Sequence, residues 1–155
     1  MKTIRTQIRE KIISNLSNLF FDNKKVKVFS DVEFDVESDD LPMILLNFTG
    51  SSSNIETFGY PSNIENTLSI TLEAAVSSKK DLTLKLEELD ANIRLALVGT
   101  EDKKYLNSVN NIIIGLNIIS DDIEALDAVS LNARVITYNI EVTYNSLENE
   151  FYTII

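Results

Sequence analysis

Two stretches of the chain alternate apolar and polar residues with a period of two, and they set what it can fold into. In Thr67 to Val76, Leu68, Ile70, Leu72 and Ala74 fall on one side, against Thr67, Ser69, Thr71 and Glu73. In Leu131 to Tyr144, Ile136, Tyr138, Ile140, Val142 and Tyr144 fall on one side, against Ala133, Val135, Thr137, Asn139, Glu141 and Thr143. Successive side chains of a strand point to opposite faces, so this period predicts two strands, each with one face turned to a core.

Something must cover that face, and two segments repeat their apolar residues at helical spacing. Over residues 3–20, Ile4, Ile8, Ile12, Leu16 and Leu19 form a stripe, widened by Ile13 and Phe20. Lys2, Arg5, Arg9, Glu10 and Lys11 lie mostly on the other side, and Thr3 suits an N-cap. Over residues 81–98 the stripe is Leu82, Leu86, Leu89, Ile93 and Leu97. Ser78 or Asp81 is placed to cap this helix, and Gly99 to end it in the left-handed conformation glycine tolerates.

The remaining segments carry weaker patterns. Val26 to Val36 alternates through Val26, Val28, Val32, Phe34 and Val36, as in a strand or hairpin. Pro42 has no N–H for a ladder, so the apolar run Met43 to Phe48 is a strand that begins at an edge or outside the ladder. Residues 49–66 hold Thr49-Gly50-Ser51-Ser52-Ser53-Asn54, then Gly59, Pro61, Asn63 and Asn66, the composition of a long loop. Ile55, Phe58, Tyr60 and Ile64 are apolar members of that segment, useful for docking on a partner. Residues 109–119 are β-rich, with Gly115 placed for a bulge. Residues 120–129 are acidic and are expected to hold a short helical turn, with Asp121 and Asp122 at its N-terminus.

The order helix, strands, loop, strand, helix, strand, strand predicts an α+β fold. Its antiparallel or mixed sheet carries two main helices packed on one face. One domain is expected over residues 1–146, with a C-terminal extension at 147–155.

Composition narrows the chemistry. The 155 residues include no His and no Cys. Structural zinc and iron–sulfur sites lose their usual ligands, and Cys nucleophiles, His bases and the Ser-His-Asp triad are excluded. No cofactor is expected, and no phosphate-binding glycine motif is present among the four Gly. The net charge is −10, which works against nucleic-acid binding. No apolar run reaches the ~20 residues that span a bilayer, and the first residues lack a signal-peptide pattern, so the cytosol is the default compartment. Asp31, Glu33, Asp35, Glu37, Asp39 and Asp40 form the densest acidic run. A calcium loop there fails, because Val36 stands where an EF-hand needs Gly and Pro42 where it needs Glu. These carboxylates form either a solvated strand face or an acidic wall that lets DNA slide past.

The N-terminal helix Ile4-Arg5-Thr6-Gln7-Ile8, the segment Asp40-Leu41-Pro42-Met43-Ile44-Leu45-Leu46, a polar segment, the strand Thr67 to Ala74, the helix Leu86 to Ile93 and the closing strand Ala133 to Tyr144 follow one another in this order. In these landmarks the chain resembles the bacteriophage tail terminator, or tail completion, family. The resemblance implies a non-enzymatic virion protein, made in the host cytoplasm, that forms a ring, usually a hexamer. Such a ring binds the end of the tail tube, stops its polymerisation and presents a surface to the head completion or connector protein, with DNA passing through the lumen. In such a ring the apolar residues Ile55, Phe58, Tyr60 and Ile64 would supply an interface, and the carboxylates Asp31, Glu33, Asp35 and Glu37 would line the lumen. The alternatives are a head–tail connector (neck completion) protein or a small adaptor module. An enzyme working through carboxylates is a third class, for which no acid/base pair stands out.

Overall fold

The computed structural model describes residues 2–31, 40–57, 59, 63–99, 108–109, 112–125, 132–147 and 152–153. The elements run β1 (Lys2–Thr3), α1 (Ile4–Leu16), β2 (Phe20–Phe21), β3 (Lys24–Lys25), β4 (Lys27–Ser30), β5 (Met43–Thr57), β6 (Asn63–Ser77), α2 (Leu82–Val98), β7 (Ser108–Val109), β8 (Ile112–Ala125), β9 (Ala133–Leu147) and β10 (Tyr152–Thr153). This is an α+β fold with a mixed sheet of six strands in the order β4-β5-β6-β9-β8-β7. Only β4 and β5 run parallel.

The two strands with the cleanest alternation sit side by side at the centre. β6 and β9 pair from Asn63↔Leu147 to Ser77↔Ala133. That register puts Leu68 beside Val142, Ile70 beside Ile140, Leu72 beside Tyr138 and Ala74 beside Ile136. All eight are buried, and with Ile44 and Leu46 of β5 they floor the main core. Both helices lie on this floor. α1 contributes Ile4, Ile8, Ile12 and Leu16; α2 contributes Leu86, Leu89, Ile93, Ala96 and Leu97. Burying a side chain of this kind stabilises the fold by roughly 1.5–3 kcal/mol. Asn15 of α1 also donates to the Ala96 carbonyl of α2, 3.2 Å away.

The helix ends follow local chemistry. Thr3 is extended and its hydroxyl accepts from the Thr6 N–H at 3.1 Å, as an N-cap should. α1 stops at Leu16, and Phe20 leaves the helical stripe to stand 60% exposed in β2. Asp22 and Asn23, both at positive φ, turn the chain between β2 and β3, a conformation these two residues tolerate better than most. At α2 neither capping candidate works. Asp81 is left-handed and makes no side-chain cap bond, while the Ser78 hydroxyl donates to the Lys80 carbonyl. Gly99, at φ 82, ends α2 with its N–H on the Leu95 carbonyl.

Three sequence expectations need correction. Residues 49–57 and 63–66 are strand, not loop: β5 and β6 form one long hairpin, each strand about 50 Å at the usual rise. Ser, Thr and Asn read as loop formers, yet here the continuing ladder satisfies their backbone groups, and strand preference depends on such context. Residues 120–125 are likewise strand rather than helix, because β8 pairs with β9 as far as Ala125↔Arg134. The bulge in β8 lies between Ile118 and Ser120, not at Gly115. Gly115 sits in register opposite Thr143, where an added Cβ would stand 2.9 Å from Oγ1, so glycine serves close approach. In the first β region, β4 runs from Lys27 to Ser30 and Asp31 turns to φ 53. Val32, Phe34 and Val36 lie outside the described residues.

Within the expected C-terminal extension, Tyr152–Thr153 pairs antiparallel with Lys2–Thr3. Leu72→Ala should cost about 2–5 kcal/mol in urea unfolding, since this fully buried side chain touches no solvent into which a cavity could open. A cost under about 1 kcal/mol would show that the floor of the core is not where the stability lies.

Candidate assembly surface

The sheet's second face is the largest surface that the helices leave open, and its chemistry differs from one end to the other. At one end Leu41, Met43, Ala75 and Ala133 are buried together, with Phe29 and Leu45 packed against them. Lys27 of β4 lies at this corner. Elsewhere the face is polar. β6 presents Glu65, Thr67, Ser69, Thr71 and Glu73, and β9 presents Val135, Thr137, Asn139, Glu141, Thr143 and Asn145. β8 adds Asn117, Ser120, Asp122 and Glu124, which the register places beside Glu141, Asn139, Thr137 and Val135. Among the described residues of β5, β6, β8 and β9, this face holds six carboxylates in Glu56, Glu65, Glu73, Asp122, Glu124 and Glu141, and no Lys or Arg. The apolar surplus expected on the outer face is therefore confined to one corner.

Sequence reasoning placed Glu73 and Glu141 away from the core but did not join them with Glu65, Asp122 and Glu124. The signal was the alternation itself. What was missing was the strand order, which alone says that these acids share one face.

The far end of the β5–β6 hairpin brings Ile55 and Ile64 together as register partners. Ile55 is 56% exposed and Ile64 half-buried. A polar rung separates this pair from the core: Ser53 donates to the Asn66 side-chain oxygen at 2.8 Å, and Asn66 Nδ2 donates to Ser146 at 2.9 Å. Glu56 accepts from Asn63 at 2.9 Å and from Asn145 at 3.4 Å. Phe58 and Tyr60 lie outside the described residues.

Of the expected lumen residues, Asp31 alone is described. It caps the β4–β5 junction: its carboxylate accepts from the Phe48 N–H at 3.2 Å and pairs with Arg9 of α1 at 3.1 Å. Arg9 in turn lies over the Phe48 ring, 4.1 Å from its centroid. Glu33, Asp35 and Glu37 lie outside the described residues.

One polar cluster touches the core. Tyr138 is wholly buried, and its hydroxyl donates to Asp90 of α2 at 2.6 Å. Asp90 also accepts two 3.0 Å bonds from Arg94 Nε, and Arg94 reaches Asp121 of β8 at 3.0 Å. Asp121 therefore ties an edge strand to α2 and does not begin a helix. Burial above all, then the bond to Asp90, pushes the Tyr138 phenol above its ordinary value of 10.0. Its partners are a carboxylate and a guanidinium on an adjacent helix, an arrangement that docks α2 on the sheet and aims no reactive atom into a cleft.

The cavities are shallow. One of about 520 Å³ lies between α2 (Ala91, Arg94, Leu95, Val98) and β8 (Leu116, Ile118). Among the described residues no group of three or more carboxylates is set to hold a metal ion. No described helix is long and apolar enough to cross a membrane.

No family model matches the sequence, and no curated protein matches it. Among solved structures, a chain from the virion of a native gene transfer agent (GTA) particle is similar in fold. The match covers 93% of this chain and 96% of that one, at 9% identity and a TM-score of 0.46.

Tyr138→Phe should lower stability by about 1–2 kcal/mol, because it strands a bond to a charged acceptor that is itself partly solvated. With its folded pKa raised, Tyr138 contributes fully below pH 10 and its contribution fades as pH climbs beyond that value. Unfolding followed from pH 8 to 11.5 should therefore fall less steeply at the alkaline end in the phenylalanine variant. Equal slopes would contradict the assigned role.

Proposed function

We propose that this chain is a structural protein of a phage-like virion, a tail terminator. It closes into a hexameric ring on the head-proximal end of the tail tube, stops tube growth and offers its other surface to the head completion or connector protein. The chain acts by covering surface and carries out no reaction. It is made in the host cytoplasm and stays in the tail.

The observation that carries this reading is the bare polar face of the sheet, with Glu56, Glu65, Glu73, Asp122, Glu124 and Glu141 and no cation across the described residues of its four long strands. A monomeric domain has little need for a wide flat face of a single charge sign. A ring that passes DNA has such a need, since carboxylate walls repel phosphates and give them no counter-charge to bind. The lumen is accordingly assigned to this face; of the expected lumen residues, Asp31 pairs with Arg9 of α1, and Glu33, Asp35 and Glu37 lie outside the described residues. The contact with the tube or with the neighbouring copy is assigned to the hairpin end, where Ile55 and Ile64 expose apolar surface that association would bury, and where Phe58 and Tyr60 follow in sequence.

Two variants separate these roles. Replacing Glu65, Glu73 and Glu141 together by Lys should leave ring assembly intact and make the ring retain duplex DNA at low salt, with release as salt rises. Rings of the lysine variant that ignore DNA would contradict the lumen assignment. Ile55→Asp combined with Ile64→Asp should weaken assembly about tenfold or more in sedimentation experiments, with the unfolding midpoint nearly unchanged. Undiminished assembly would remove the hairpin end from the contact.

A further inference from the structure

Among the described residues, both edges of the six-stranded sheet are largely unpaired. β4 covers β5 only from Met43 to Leu46, and β7 covers β8 only at Ile112 and Ile113. Beyond these, no described strand pairs with the outer edge of β5 or of β8. Exposed strand edges are aggregation hazards, and proteins normally guard them with Lys, Pro or a very short strand. Short β4 and β7 guard one end of each edge, but the stretches they leave uncovered lack the other guards: Met43–Thr57 and Ile112–Ala125 contain no Lys, Arg or Pro. A bulge bounds each free stretch, after Phe48 in β5 and after Ile118 in β8. What remains are two uncharged segments, Gly50 to Ile55 and Ile114 to Ile118.

These segments lie at one level of the sheet. Following the register strand by strand, Gly50 aligns through Ser69 and Glu141 with Asn117. Ser51 aligns through Leu68 and Val142 with Leu116, Ser52 through Thr67 and Thr143 with Gly115, and Ser53 through Asn66 and Tyr144 with Ile114. Three successive antiparallel pairings also leave β5 and β8 pointing in opposite directions. A second copy placed beside the first by rotation about an axis along the strands would therefore set its β5 antiparallel to the first copy's β8, continuing the pattern of the sheet.

We infer that the ring closes by strand pairing between copies, Gly50 to Ser53 of one chain against Ile114 to Asn117 of the next. Such a contact is heterologous, one patch meeting a different one, and heterologous contacts generate rings or filaments. The equal height of the two edges removes the axial rise that would make a filament. Main-chain hydrogen bonds supply the contact, as in other strand additions, and the acidic face becomes continuous around the lumen. The inference rests on the ring reading above and adds which edges meet.

The absence of native Cys makes disulfide trapping clean. Two double variants probe the contact: Ser51→Cys with Leu116→Cys, which share a row, and Ser52→Cys with Asn117→Cys, which allow for stagger. Each is compared with its single-cysteine parents after mild oxidation of the assembled full chain. The expected result is a ladder of covalent species ending in a closed ring for at least one double variant, with about tenfold more interchain disulfide than either parent, because assembly holds the thiols at high effective concentration. Ser51, Ser52 and Asn117 are exposed, so the reduced Ser52→Cys/Asn117→Cys variant should melt near the parent temperature. Rings that form normally while neither double variant exceeds its parents would overturn the edge pairing and leave the ring reading standing. A parent protein that stays monomeric at every concentration and does not bind tail tubes would overturn both.

Discussion

The register between β6 and β9 is the constraint on which the rest of the molecule depends. Two strands of 15 residues each, paired along their full length, turn every second side chain to one side and every other to the opposite side. A slip of one residue in either strand would send Leu68, Ile70 and Leu72 to solvent and bring Glu73 and Glu65 under the helices. The same register creates the core floor on which α1 and α2 dock and the acidic face opposite. Stability and the surface chemistry of assembly therefore cannot vary independently in these strands. The Asp90–Arg94–Tyr138–Asp121 cluster extends the coupling sideways, fastening α2 to the central strand and to the edge strand β8.

Where one physical signal dominated, the fold was legible in the residues. The period of two in Thr67 to Val76 and Leu131 to Tyr144 and the helical stripes of α1 and α2 are packing signals, and packing decides such elements. The Thr3 cap and Gly99 were readable because each satisfies a specific backbone requirement at a helix end. Residues 49–57 were not legible as strand. Gly, Ser and Asn there bury nothing, and their extended conformation is imposed by the neighbouring strand, information that lies elsewhere in the chain. Asp121 and Asp122 misled for a similar reason: local charge suited a helix start, but pairing with β9 and the bridge to Arg94 prevailed. Of the candidate site, Ile55 and Ile64 were identified by their apolar character alone. The acidic face was hidden until strand order joined carboxylates far apart in sequence.

The chain thus separates its functions by direction. The helix side supplies stability, the opposite side a surface of one charge sign, the two lateral edges unsatisfied backbone groups of matching height, and the hairpin end an exposed apolar pair. None of these features needs a reactive side chain, which agrees with a sequence that lacks His and Cys. Each becomes useful when copies stand side by side around an axis: edges meet, the charged faces join into one wall, and the hairpin ends form a rim.

Electron micrographs of phage tail tubes growing in the presence of the purified protein put the terminator reading to its hardest trial. A ring should be visible at one end of each tube, and tube lengths should stop increasing from the moment of addition. Tubes that keep lengthening with bare ends, at protein concentrations well above that of tube ends, would contradict it.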